Sequence, residues 1–334
     1  MPRIPEIVHD HGIHLVGSIL WLDPTRSRPM AIVSDAGRVS RAACKKVACT
    51  AETRDLVHAM WPRKHFQALV SPCEHPFQLG PLSVQFHHAG HMLGGSLVSV
   101  DLQGARVLHA PTFEWTEERD LDRVIPRKAD VLLLGSALGD PNILLPGPVE
   151  MRESLREFLH EAQRREEIPL IASDELAVMR EVIQFMTDEG HDVRVHPRLH
   201  RFLGACGRLG LPSARGRRGV DSASTGPIAW PLDLLEKGTL PPVERLRTLT
   251  LSARAASPDG RRHPAGDASL PWTRHPDHAA LVAFAREVDP SEVIVLEGRD
   301  EALTQSLLDL GFQARSLRTG RQIPLWSPPG SPSQ

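Results

Sequence analysis

The order of apolar and polar positions divides the chain in two. In the first part, short apolar runs follow one another closely. Residues 13–16 and 19–23 read as a hairpin leading to an Asp23-Pro24 turn, and residues 30–34 as a buried strand. More strands are predicted at 67–70, 83–87, 96–102, 106–110 and 131–134. One helix interrupts them: Thr50 is placed to cap residues 51–60, with Thr53 and Arg54 on the solvent side. Strands at this density around one helix predict the first half of a sandwich of two sheets between helical layers.

After Pro146-Gly147-Pro148 the period changes. Residues 151–166 form an amphipathic helix with Leu155, Phe158, Leu159 and Ala162 as its apolar stripe. A strand at 169–172, a helix at 175–189 capped by Asp174, a strand at 191–195 and a helix at 197–209 with Pro197 in its first turn come next. Such alternation predicts a parallel sheet. A strand at 246–251 lies between two polar stretches, 213–225 and 254–269, read as loops. The chain closes with a helix at 277–288, a strand at 292–296, a helix at 301–310 and a strand at 313–317. The Pro/Ser-rich stretch 327–334 is predicted to be a disordered tail.

Composition narrows the function classes. The length of 334 residues and a 41% hydrophobic content suffice for one or two domains with a large core. A net charge of −2 gives no global attraction to nucleic acid, so any basic surface is local. Two clusters qualify: Arg215, Arg217 and Arg218, and Arg261 and Arg262. They are either solvated loops or contacts to phosphates, and the lack of interleaved aromatics argues against base stacking. The four cysteines form no CxxC pair, which fits free thiols in a reducing cytoplasm rather than a zinc finger. No apolar leader and no run of 18 apolar residues occurs, so a soluble, cytoplasmic protein without a membrane partner is expected.

Candidate chemistry concentrates in residues 86–100, FHHAGHMLGGSLVSV, where glycines bracket His91 between two strands. A histidine so held can reach into a cleft. This stretch resembles the third metal-binding motif, PAGHxLGSA, of metallo-β-lactamase-fold nucleases of the β-CASP group. The resemblance extends over most of the chain and is closest to the bacterial DNA-ligase-associated exonucleases. It implies an α/β fold (α+β in arrangement): a metallo-β-lactamase-like αββα sandwich from residues 1–145 and 270–330, with a β-CASP-like α/β insert at 146–269.

The same resemblance implies a site of two zinc ions, and most of its ligand positions are changed. The family's HxHxDH follows a buried strand; here the matching run is Asp35-Ala36-Gly37-Arg38-Val39-Ser40. Asp35 and Gly37 take the places of two histidines, Val39 that of the aspartate and Ser40 that of the last histidine. Thr112 replaces the bridging aspartate, Gly135 the first β-CASP acidic residue, and Glu297 the last histidine. His91 and the proton-transfer residue His275 are kept. Ala177 and Val178 stand where the family has a glycine and a lysine that serve phosphate binding.

Catalytic zinc needs at least three protein ligands, so the degenerate set predicts no resident metal and no catalytic centre. The weak candidates are His91, Glu297 and Asp35, which with His275 would hold zinc or manganese only in a rebuilt site. Otherwise His91 is a hydrogen-bonded loop residue and His275 a cap or solvent-facing residue. Glu297 is expected to pair with Arg38, Arg274 or Arg299 in place of a metal. The favoured function is an inactive homologue of a ligase-associated exonuclease: a binding or scaffold subunit, with DNA or a DNA-repair protein such as a ligase or helicase as partner. The alternatives are a residual metal-dependent nucleic-acid hydrolase and a homo-oligomeric partner-docking protein with no nucleic-acid role.

Overall fold

A computed structural model describes residues 5–39, 44–115, 124–212, 214–222, 224–256, 263–298 and 300–317, with the backbone alone at 297 and 298. Ser40, Arg261, Arg262, Arg299 and the 327–334 tail lie outside the described residues.

The first sheet runs in chain order: β1 (Ile7–His9), β2 (Ile13–Leu15), β3 (Leu20–Leu22), β4 (Met30–Ile32), β5 (Lys46–Cys49) and β6 (Gln67–Val70). Its first three strands are antiparallel and the last four parallel. Helix α1 (Ala51–Met60) makes the crossover from β5 to β6. It begins at the predicted place because the Thr50 hydroxyl accepts from Thr53 N at 3.2 Å. Thr53, expected at the solvent, is buried instead. Its hydroxyl donates to Gly94 O, so this face of α1 meets the His91 loop rather than water.

The second sheet opens with a meander, β7 (Phe77–Leu79), β8 (Leu82–His88), β9 (Ser96–Leu102) and β10 (Ala105–Ala110), followed by β11 (Val131–Ser136). The chain then builds a third sheet: α2 (Pro148–Arg164), β12 (Ile168–Ser173), α3 (Leu176–Asp188), β13 (Arg194–Val195), α4 (Pro197–Arg208), β14 (Arg217–Arg218), β15 (Ile228–Pro231), α5 (Leu232–Leu235), β16 (Leu246–Leu251) and β17 (Ala268–Leu270). It returns through α6 (His278–Val288), β18 (Glu292–Gly298), α7 (Asp300–Asp309) and β19 (Ala314–Ser316), which complete the second sheet in the order β19-β18-β11-β10-β9-β8-β7.

Burial explains the layering. In β11, Val131 and Leu133 face the first sheet, packing with Leu15, Leu22 and Ile32. Leu132 and Leu134 face the other way, against Phe284 and Leu281 of α6 and Leu303 of α7. A strand apolar on both faces belongs in a covered sheet. The third sheet, in the order β14-β13-β15-β12-β16-β17, is parallel throughout. Its helices share one core with Leu56, Val57 and Met60 of α1. Arg201 of α4 also donates to the last carbonyls of α1, Ala59 O (2.8 Å) and Met60 O (3.2 Å), which an isolated helix would leave unpaired.

Several expected boundaries change. The strand predicted at 191–195 shrinks to Arg194–Val195. The 213–225 stretch is not all loop, because Arg217–Arg218 adds an edge strand to β13. The 254–269 stretch holds a 3-10 turn, Ala253–Ala256, and ends in β17. Strand β15 carried too short an apolar run to stand out, yet it is buried along its whole length.

Candidate functional site

A cleft of about 150 Å³ opens where the first two sheets meet the third. Asp35 and Arg38 reach it from the 3-10 turn after β4, His91 from the β8–β9 loop, Thr112 from the end of β10, Glu175 from the start of α3 and His275 from the segment before α6. The shape of the His91 loop comes from α1. The Thr50 and Thr53 hydroxyls both donate to Gly94 O, at 2.8 and 2.9 Å. Gly94 has φ +72°, and a Cβ there would lie 2.6 Å from Thr53 N, so only glycine fits.

Arg38 is the centre of charge in this cleft. Its Nη2 donates to Thr112 Oγ1 (2.7 Å) and Pro111 O (3.3 Å). Its Nε lies 3.5 Å from Asp35 Oδ2 and 3.9 Å from Asp23 Oδ2. Asp35 Oδ1 accepts from Gly37 N (2.7 Å) and Arg38 N (3.1 Å), while Oδ2 faces His91 Nε2 at 3.4 Å. Burial alone would raise the Asp35 pKa; His91 as hydrogen-bond donor and charge, then Arg38, reverse this and hold it at about 2. Asp23 accepts from Ser34 N (2.8 Å) and Ser34 Oγ (2.7 Å), and its Oδ2 lies 2.9 Å from His109 Nε2. Burial opposes its charge too, but His109 and Arg38 bring its pKa below the ordinary value. His109, Asp23, Arg38, Asp35 and His91 thus form one polar chain across the cleft.

These residues do not fit a two-metal centre. Asp35, a possible oxygen ligand, is turned to backbone amides, His91 and a guanidinium. Thr112 offers a hydroxyl that binds Arg38 and Pro111 O. Val39 packs with the apolar clusters. Gly135 admits no side chain, since a Cβ would come within 2.0 Å of Pro111 O. Among the described residues no three His, Cys, Asp or Glu side chains converge as metal ligands.

The far wall of the cleft titrates differently. Glu175, not Asp174, is the N-cap residue of α3. Asp174 instead accepts from Ser252 Oγ at 3.2 Å, because the carboxyl end of β16 lies beside it. The Glu175 carboxylate accepts from Thr273 Oγ1 and from Arg274 N (2.8 Å). Burial pushes its pKa up to about 7 in spite of those bonds. His275 Nε2 lies 4.0 Å from Glu175 Oε1. Burial, then the positive charge of Arg38, lowers the His275 pKa to about 3. So His275 is neither a cap nor a solvent-facing residue; Asp277 caps α6, accepting from Ala280 N at 2.8 Å. A ring neutral so far below neutral pH is a weak proton acceptor.

The remaining candidates stand apart. The expected pairing of Glu297 with Arg38, Arg274 or Arg299 falls on a side chain outside the described residues; among the described residues Arg38 pairs with Asp35 and Asp23, and Arg274 with Glu114 at 2.9 Å. His87 is held by Glu74 (3.0 Å) and Ser99 (2.8 Å), away from the cleft. Arg215, Arg217 and Arg218 are exposed at the outer edge of the third sheet, with Arg217 3.1 Å from Asp192. Sequence reasoning missed Asp23, His109, Glu114 and Glu175. The available signal was a histidine inside the apolar run of β10, which has to find a buried partner.

No described helix is long and apolar enough to cross a membrane. No protein family matches the chain, and no curated protein does. Among solved structures it is similar to a protein of unknown function from Enterococcus faecalis V583, with a TM-score of 0.53 and 9% identity over 87% of this chain and 80% of that one. A likeness at that identity carries the fold alone, which in this chain is a mixed α/β arrangement with three sheets among the described residues.

Proposed function

We propose that the chain is a metallo-β-lactamase-fold homologue of the ligase-associated exonucleases, with a β-CASP-like insert, in which an arginine has taken over the role of the metals. In this reading it works as a binding or scaffold subunit, with DNA or a DNA-repair protein as partner, and not as a nuclease. One observation carries it: the Arg38 guanidinium, within 4 Å of Asp35, Asp23 and Thr112, supplies inside the protein the positive charge that a cation would supply. A divalent ion there would meet like charge at short range.

Metal content tests this directly. The protein, purified without chelator from medium supplemented with zinc and manganese, is expected to carry less than about 0.1 metal per chain. One tightly held metal per chain, lost in His91→Ala, would refute the proposal and return the chain to the metal-dependent hydrolases. For the partner, DNA binding should weaken with salt and fall in Arg217→Glu/Arg218→Glu. Binding unchanged by that reversal would remove these arginines from the contact.

A further inference from the structure

A crevice opens at the carboxyl edge of the third sheet. Strands β12 and β15 are parallel neighbours there, paired from Leu170 with Ile228 to Ser173 with Pro231. The chain leaving β12 turns to one face of the sheet, where Ala177, Val178 and Val182 of α3 pack with Ile171 and Ala229. The chain leaving β15 turns to the other, where Leu232 and Leu235 of α5 pack with Leu170, Ala172 and Ile228. Neighbouring strands whose connections part to opposite faces leave a gap at their carboxyl ends, and this is where open α/β sheets hold ligands. Here the gap is a cavity of about 560 Å³, with Ser173, Asp174 and Leu176 on one lip and Pro231, Leu232 and Asp233 on the other. That volume lies in the usual range for a small-molecule site, about 300–1,000 Å³. Val39, Met60 and Trp61, the last at the end of α1, close it from the side of the first sheet.

The wall selects against ions. Three basic side chains line it, Arg198, Lys237 and Arg254, and three acidic ones, Asp174, Asp233 and Glu236. They are matched to one another. Asp233 takes both Arg198 (3.2 Å) and Lys237 (3.6 Å). Glu236 lies 3.2 Å from His263 Nε2, and the charges of Arg254 and His263 act on Asp174. A phosphate finds no cradle either. Residues 173–178 contain no glycine, and Asp174 and Glu175 place carboxylates at the start of α3, where an anion would have to sit. Paired ions still offer hydrogen bonds, since a guanidinium carries five N–H groups and a carboxylate about four lone-pair sites. An aromatic surface stands beside them, because the Arg198 guanidinium lies 5.7 Å from the centre of the Trp61 ring. Donors and acceptors without net charge, next to an indole, complement a ring that carries hydroxyls at its rim and C–H groups on its face.

We propose that the crevice between β12 and β15 binds a neutral, polyhydroxylated ligand, a sugar of one or two rings. Trp61 takes the C–H face of the ring, and Asp174 and the Arg198–Asp233 pair take its hydroxyls. The site needs neither metal nor nucleic acid, so it stands apart from the reading of the Arg38 cleft.

Calorimetry and saturation-transfer NMR on the full chain test this with four probes: methyl β-D-glucopyranoside, methyl α-D-mannopyranoside, D-ribose and cellobiose. At least one is expected to bind with a Kd of about 1 mM or tighter, to be insensitive to salt, and to be saturated most strongly at its ring C–H protons. Trp61→Leu and Asp174→Ala should each weaken binding about tenfold, whereas Trp61→Phe, which keeps an aromatic face, should weaken it by about threefold or less. No binding of any of the four at about 50 mM would overturn the proposal. Binding unchanged in Trp61→Leu and Asp174→Ala would overturn it by placing the sugar elsewhere. Tighter, salt-sensitive binding of adenosine 5′-monophosphate would overturn it too, by making the crevice an anion site.

Discussion

Replacing Arg38 by methionine keeps most of the side-chain stem and removes the charge. The variant loses the 2.7 Å bond to Thr112 and the contacts to Asp35 and Asp23 at 3.5 and 3.9 Å. Both carboxylates stay buried, at 6% and 7% side-chain exposure, without their cation. Breaking a buried pair costs about 3–5 kcal/mol. Two features reduce that here. The Arg38 side chain is 35% exposed, so water already screens part of its charge. Each carboxylate also keeps other donors, Ser34 and His109 for Asp23, and the Gly37 and Arg38 amides with His91 for Asp35. The expected loss is therefore about 2 kcal/mol. Urea unfolding at neutral pH of the wild type, Arg38→Met, Asp35→Asn and the double variant gives the coupling. The double variant should recover about 1 kcal/mol relative to the sum of the singles. Additivity to within about 0.3 kcal/mol would refute the claim that Arg38 is the counter-charge of Asp35.

Asp35 also predicts acid lability: its pKa is about 2 in the fold against an ordinary 3.8, so it contributes about 2 kcal/mol above pH 4 that is lost as pH falls toward 2. Asp35→Asn should flatten that limb of the stability curve. Glu175 acts in the opposite sense, because its pKa of about 7 exceeds the ordinary 4.5 and the folded state holds the extra proton. Stability should fall as pH rises from about 4.5 to 7, and Glu175→Gln should be more stable than the wild type at pH 8 by about 1–2 kcal/mol; parallel pH profiles for the two proteins would contradict this. Gly94→Ala, with its Cβ 2.6 Å from Thr53 N, should cost at least about 2 kcal/mol by thermal unfolding. Gly104→Ala, at φ +82° with nothing within 4 Å, isolates the backbone strain and should cost about 1 kcal/mol.

Where an element is local, the sequence announced it. Helix α1 starts at its threonine cap, β9 and β16 end at the predicted residues, and the stripe Leu155, Phe158, Leu159 and Ala162 is buried as its spacing requires. Two-residue edge strands such as β14 escaped because their pairing depends on a distant neighbour, not on their own pattern. The cleft divided the same way. His91 stands out beside its glycines. That Asp23 and His109 belong to the same polar chain depends on three strands and the 3-10 turn meeting in space, which no local spacing encodes. Asp174 was a sound cap candidate by residue type, but Ser252 and Thr273 arrive from 78 and 98 residues away and reassign both carboxylates.

Strand β11 has a partner that is made late. It pairs with β10 on one side and with β18 on the other, and Val131 meets Glu292 only after the whole third sheet has intervened. During synthesis, Leu132 and Leu134 must wait for α6, β18 and α7 before their outer face is covered. A ribosome-bound chain stalled before residue 292 would therefore present an open, apolar strand edge. This protein's demand for chaperone protection should peak late in translation and end abruptly once β18 has cleared the exit tunnel.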